Sequence, residues 1–159
     1  MAEYIIQEES LKALADIVRE RNVDMFLVSD RANLALTSLP EGITQIGNSA
    51  FRDCTNLALT SLPESLTKID NHAFRGCTNL AITSLPAGIT SIGVFAFAGC
   101  KNITSITFKG TPKTIGNYAF EFNNYPTPIT INVPWAEGAV AGAPWGATNV
   151  TINYNYTEV

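Results

Sequence analysis

The chain has 159 residues, 46% of them apolar, with a formal net charge of −4, which suits one folded domain. No apolar run is long enough to cross a bilayer as a helix, so no membrane span is expected. Eleven of the 24 Asp, Glu, Lys and Arg residues fall within residues 1–31. The rest of the surface must be mostly Thr, Ser, Asn and Gly, and it lacks the basic stripe that a phosphate backbone demands, so nucleic acid is not expected as a partner.

The opening MAEYIIQEES carries acids early and has neither the basic region nor the apolar core of a signal peptide. Export by the general secretory route is therefore not expected from these residues. Leu11, Leu14, Ala15 and Val18 fall at i, i+3, i+4 and i+7, the apolar stripe of an amphipathic helix. Ser10 can cap its start and Asn22 can end it. One expectation is a cap over the open core of the first repeat. The other is a docking helix whose charged outer face, Lys12, Asp16, Arg19 and Glu20, meets a second copy or a larger assembly. The stretch Ser10, Leu11, Leu14, Ala15, Asp16, Ile17, Arg19, Glu20 and Arg21 resembles a short N-terminal motif of tail-associated proteins of phages and prophages of Gram-positive bacteria. That resemblance implies a tail-assembly partner and a virion location. It departs from the pattern after Asn22, where Val23–Val28 leads directly into the next region.

From Asn33 the same phrase recurs every 23 residues: NLALTSLPEGITQIGNSAFRDCT, NLALTSLPESLTKIDNHAFRGCT from Asn56, NLAITSLPAGITSIGVFAFAGCK from Asn79, and a worn copy, NITSITFKGTPKTIGNYAF, from Asn102. A period in the twenties marks a solenoid, whose units bury an apolar face only by stacking on neighbours. Leu34, Leu57, Leu80 and Ile103 lead each unit, and Leu39, Leu62, Leu85 and Phe108 follow five residues later. The Thr/Ser-rich run between them is read as one strand per turn, stacked in parallel about 4.8 Å apart. Pro40, Pro63 and Pro86 close the strand, because proline donates no N–H to a ladder. In the fourth copy the proline moves to Pro112, and Ile106 sits one place later than Leu36, Leu59 and Ile82, so a change of register is expected there.

Ile46, Ile69, Ile92 and Ile115 begin a second inward-facing segment. Each precedes Gly47, Asp70, Gly93 or Gly116, a set that suggests positive φ at that position. The pairs Ala50–Phe51, Ala73–Phe74, Ala96–Phe97 and Ala119–Phe120 should fill the core. Cys54, Cys77 and Cys100 share one ladder position, and three thiols cannot all pair. Free cysteine is among the most buried residue types, so reduced, inward thiols are expected. Asn33, Asn56, Asn79 and Asn102 read as turn caps acting through side-chain to backbone hydrogen bonds.

Beyond Asn123, Ile129–Val133 and Val150–Tyr154 alternate apolar and polar residues as half-buried strands do. The Pro-, Gly- and Ala-rich stretch between them leaves room for a short helix near Ala136–Ala141. Trp135 and Trp145 are read as the core of a C-terminal cap.

The recurring Asn-Leu, Leu-Pro, Ile-Gly, Ala-Phe and Cys positions resemble the BspA-like (Treponema pallidum type) leucine-rich repeats. The expected fold is thus a mostly β, α/β leucine-rich-repeat solenoid with a short parallel sheet of stacked rungs. Residues 1–32 would form a helical cap or docking segment, 33–123 four repeats, and 124–159 closing rungs with a strand and tryptophan cap. The resemblance implies a binding module: host recognition or a tip component of a phage or prophage tail, or a bacterial surface adhesin for host protein or matrix.

Catalysis is not expected. His72 is the single histidine, and its ladder Ser49, His72, Phe95, Tyr118 explains it without chemistry. No Cys/His spacing fits zinc, no Lys-bearing glycine loop follows a strand, and no motif pairs carboxylates. No cofactor or metal is implied, and Asp53, Asp70 and Glu121 read as solvated turn residues. Repeat proteins bind along strips where one position recurs on successive turns. Two strips qualify: Thr37, Thr60, Thr83 and Thr107 on the strands, and Ser49, His72, Phe95 and Tyr118 beside them. The expected ligand is a protein or a cell-surface glycan, with the rings offered for stacking against sugars or apolar side chains.

Overall fold

The computed structural model describes residues 35–122 and 128–157. The expected helix Ser10–Arg21, with Lys12, Asp16, Arg19 and Glu20, lies outside the described residues, as do Asn33, Leu34 and Asn123. The described elements are β1 (Gln45–Ile46), β2 (Lys68–Ile69), β3 (Ser84–Leu85), β4 (Ser91–Ile92), β5 (Ser105–Phe108), β6 (Thr114–Ile115), β7 (Ile129–Asn132) and β8 (Val150–Asn153). They form two parallel sheets, ordered β1-β2-β4-β6 and β3-β5-β7-β8.

The first sheet is built from the Ile-Gly segments. Gln45, Lys68, Ser91 and Thr114 lie in one row of Cα partners, and Ile46, Ile69, Ile92 and Ile115 in the next. The isoleucine row is buried throughout. One residue faces in and one out on each turn, so the 23-residue period becomes a two-residue rung.

The second sheet departs from one strand per repeat. Among the described residues the Thr/Ser run is a strand only from Ser84 onward. In the second copy Leu57, Leu59 and Leu62 are buried. Two outward residues, Thr60 and Ser61, therefore separate the last pair, which breaks the two-residue alternation a ladder needs, and the chain bends at Thr60. In the worn copy Ile106 and Phe108 are buried and alternate with Ser105 and Thr107, giving a four-residue strand. The displaced Ile106 leaves the register intact: Ser84 still pairs with Thr107 and Leu85 with Phe108. What changes is which side chain faces in. The counterpart of Thr83 is buried Ile106, and Thr107 stands opposite Ser84.

Positive φ falls elsewhere than expected. It occurs at Ser49, His72, Phe95 and Tyr118 (φ 56, 58, 56 and 59) and again at Asp53, Gly76 and Gly99 (φ 60, 76 and 75). The Asp-for-Gly logic applies at that second ladder, where Asp53 fills the left-handed position of the first turn. The Ile-Gly glycine has a different cause, close stacking. A Cβ on Gly116 would lie 2.5 Å from Val94 N and 2.6 Å from Gly93 C on the turn below.

Phe51, Phe74, Phe97 and Phe120 are completely buried and stack with centroids 5.4 Å apart at each step. Parallel rings at this spacing follow from identical rotamers one rung apart. Cys54, Cys77 and Cys100 are buried thiols, as expected. The Cys77 thiol donates to Phe51 O at 2.8 Å, and Cys100 to Phe74 O at 3.1 Å. Turn closure before each leading apolar residue is a backbone matter: Leu57 N, Leu80 N and Ile103 N donate to Cys54 O, Cys77 O and Cys100 O. Asn56, Asn79 and Asn102 are exposed at these turns.

The closing rungs form. β7 pairs with β5 and β8 with β7, with Ile129 opposite Val150. Trp135 and Trp145 are buried and meet Phe108 and each other. Residues 136–141 make turns rather than a helix, since Gly138 and Gly142 take φ of 84 and 87, outside helical geometry. The cap also extends the solenoid ladder. Phe51 N, Phe74 N and Phe97 N donate to Ala73 O, Ala96 O and Ala119 O, and Phe120 N donates to Trp145 O at 3.0 Å.

Candidate functional site

The arch after the first sheet turns on Ser49, His72, Phe95 and Tyr118. The left-handed backbone at each residue puts successive side chains in one row. His72 and Phe95 stack with centroids 5.4 Å apart and planes 23° from parallel, and Phe95 and Tyr118 at 5.1 Å and 10°. Tyr118 is 51% exposed, the most exposed of the large apolar residues described. The sequence-predicted ladder is therefore assembled, and its geometry limits its chemistry. The rings turn their faces to one another, so what they offer outward is mainly edges, the electropositive part of an aromatic ring. Among the described residues, Ser49 leaves the far face of His72 without a ring neighbour.

Two arginines frame this row. Arg75 places its guanidinium 5.5 Å from the centre of the Phe95 ring, a cation–π distance. Arg52, one repeat earlier, holds Asp53 at 3.3 Å while its side chain stays 44% exposed. Desolvation, then Arg75, then Arg52, hold the His72 imidazole below its ordinary value, so it is neutral at pH 7. The period could have revealed this frame, because Arg52 and Arg75 stand three residues after Ser49 and His72 on successive turns.

A shallow groove of about 280 Å³ runs alongside, lined by Lys68, Asp70, Asn71, Ser91, Val94 and Thr114 with Gly93 and Gly116 among its other residues. Asn71 Oδ1 accepts from Val94 N at 2.8 Å and braces one wall. Asp70 is more constrained than a solvated turn residue: Gln45 Nε2 donates to it at 2.6 Å and Lys68 pairs with it at 2.7 Å.

The threonine strip is brought together only in part. Thr37, Thr60 and Thr83 are exposed, and Thr107 is half-buried and one register place away. Thr107 Oγ1 accepts from Asn132 Nδ2 at 3.1 Å, and Asn132 Oδ1 accepts from Asn153 Nδ2 at 2.8 Å, so this polar row holds the sheet together. A second threonine row, not anticipated, is also structural: Thr67 Oγ1 donates to Thr44 O at 2.9 Å and Thr90 Oγ1 to Thr67 O at 3.0 Å. Among the described residues no group of three His, Cys, Asp or Glu side chains could hold a metal ion, and no helix is long and apolar enough to cross a membrane.

A family model described as a BspA type leucine rich repeat region matches residues 25–134 in six copies. The match begins before the first repeat read from the sequence and runs through β7. Comparison with curated proteins and with solved structures returned no match.

Proposed function

The chain belongs to the BspA-type leucine-rich-repeat family, and on that premise we propose that it is a non-catalytic, adhesin-like binding module. Its ligand-contacting surface is the flank of His72, Phe95 and Tyr118 with the groove beside it. The observation that carries this reading is the stacked row of rings with Tyr118 half exposed. The three rings touch on consecutive turns and make one continuous ridge, and contiguous apolar surface rimmed by polar residues marks interaction sites. The same position on consecutive turns gives a ligand a linear track. The ligand classes are a protein or a cell-surface glycan.

The biological setting follows from residues outside the described part. The Ser10–Arg21 motif supports a host-recognition or tip component of a phage or prophage tail, with Lys12, Asp16, Arg19 and Glu20 meeting an assembly partner. The repeats themselves support the alternative, a bacterial surface adhesin. The placement is thus the virion or the bacterial surface. The test is an array of glycans, cell-wall fragments and surface proteins, probed with wild type and with His72→Ala, Phe95→Ala and Tyr118→Ala variants that still melt cooperatively. Loss of binding in these variants supports the reading, and unchanged binding in all three overturns it. Charge reversal at Lys12, Asp16, Arg19 and Glu20 tests the docking role separately: a variant that folds and assembles normally reduces that segment to a cap.

A further inference from the structure

We infer that the partner presents an acidic, extended peptide segment, which lies along the ring row with its carboxylates toward Arg52 and Arg75. This rests on the ring row being the recognition surface and adds the chemistry of what it recognises.

Three observations converge on negative charge. First, the two arginines among the described residues occupy the same repeat position on successive turns, three residues after Ser49 and His72 of the row. Arg75 is exposed with its guanidinium 5.5 Å from the centre of the Phe95 ring, within reach of a planar carboxylate lying beside the row. Second, stacking hides both faces of Phe95 and one face each of His72 and Tyr118, and the outward edges attract oxygen rather than sugar faces. That favours carboxylate and carbonyl groups over a stacked pyranose. Third, desolvation first, and then Arg75 and Arg52, hold His72 toward its neutral form, in keeping with positive charge beside the row. The Arg52 contact with Asp53 is an exposed pair of small worth.

The track also has a direction. Arg52 and Arg75 share their repeat position with Ala98 and then Glu121, so positive charge at the His72 end gives way to negative charge at the Tyr118 end. An extended strand advances about 3.3 Å per residue, so a few residues span the rings. The adjoining groove over Gly93 and Gly116 can take alternate side chains.

The experiment uses the full chain and three short peptides of alternating alanine with glutamate, glutamine or lysine. Binding is followed by amide and imidazole NMR shifts at low salt. The glutamate peptide should bind at least about tenfold more tightly than the glutamine one and weaken with added salt. Shifts should centre on residues 49–52, 72–75 and 95. A bound carboxylate should raise the His72 pKa, so binding tightens as pH falls. The double variant Arg52→Gln, Arg75→Gln, which leaves the ring row intact, should erase the glutamate preference. Equal binding of the glutamate and glutamine peptides, both lost in Phe95→Ala, keeps the recognition surface and overturns the charge inference. Absence of binding by the glutamate peptide, or binding indifferent to Phe95→Ala and to the arginine pair, overturns it as well.

Discussion

Replacing Phe74 with alanine tests the stack at its middle. The ring is completely buried and sits between Phe51 and Phe97, with centroids 5.4 Å away on both sides. A buried Phe→Ala change costs about 3–5 kcal/mol. Each lost aromatic pair carries about 0.5–1.5 kcal/mol beyond area, and here two are lost, so the upper part of the range is expected. Relaxation is poor, because the carbonyls of Phe51 and Phe74 are tied to the Cys77 and Cys100 thiols and the backbone on either side is laddered. With a urea slope of about 2 kcal/mol per molar, the midpoint should fall by about 2 M. Against a total of about 5–15 kcal/mol, the variant sits near the limit of folding. Buried Trp135 and Trp145 report unfolding by fluorescence, and circular dichroism reports the sheets. Thr60→Ala, at an exposed position, is the control. If Phe74→Ala moves the midpoint no further than Thr60→Ala, the inward ladder is wrong and the repeat register with it.

The buried thiols Cys54, Cys77 and Cys100 should resist a polar thiol reagent in native protein and react together on unfolding; rapid native labelling would contradict their burial. Burial pushes the Cys77 and Cys100 thiols far above the ordinary value of about 9, so the folded state keeps its protons where the unfolded state would release them. Their stability contribution is full below that value and declines as pH rises above it, visible as a falling midpoint in an alkaline urea series that Cys→Ala variants would flatten. His72 runs the other way: its folded value lies below the ordinary 6.5, so its contribution is full above that pH and declines as pH falls through it, and His72→Gln should remove that dependence. Gly146→Ala should loosen the C-terminal cap. Gly146 has φ 83 and a Cβ there would lie 2.5 Å from Tyr118 Cα, a combined cost of about 2 kcal/mol or more, read as an earlier loss of tryptophan signal.

The inward residues were legible because a period leaves them no freedom. Once Phe51, Phe74, Phe97 and Phe120 repeat at one spacing, only a stack buries them all, and the cysteines follow by the same reasoning. Strand and turn detail was not legible, because it depends on what happens between inward positions. The two outward residues in each LTSL run look like part of a strand in sequence, yet they break the alternation. Positive φ was misplaced because glycine serves two ends. At Gly93 and Gly116 it makes room for the turn beneath, while at Gly76 and Gly99 it supplies the left-handed turn, and a sequence pattern shows glycine without showing which. The cap's lack of a helix had a visible signal in Gly138 and Gly142.

The ring row sets function against backbone cost. Left-handed backbone costs a residue with a Cβ about 1–2 kcal/mol, and glycine or asparagine would be cheaper at His72, Phe95 and Tyr118. Stacking at two interfaces returns about 0.5–1.5 kcal/mol each, which offsets much of the strain but leaves no surplus for folding. Ser49 begins the same ladder at φ 56 without a ring, so the arch forms whether or not an aromatic occupies it. A fold indifferent to rings at this position gives no reason to place one half in water. The inference from strain to function runs in that direction, and it separates this row from the interior phenylalanines, whose burial accounts for them fully. Asparagine placed at His72, Phe95 and Tyr118 together should therefore leave the midpoint nearly unchanged while abolishing ligand binding. A large loss of stability instead would make the row a structural brace, and the search for the ligand would move to the groove over Gly93 and Gly116.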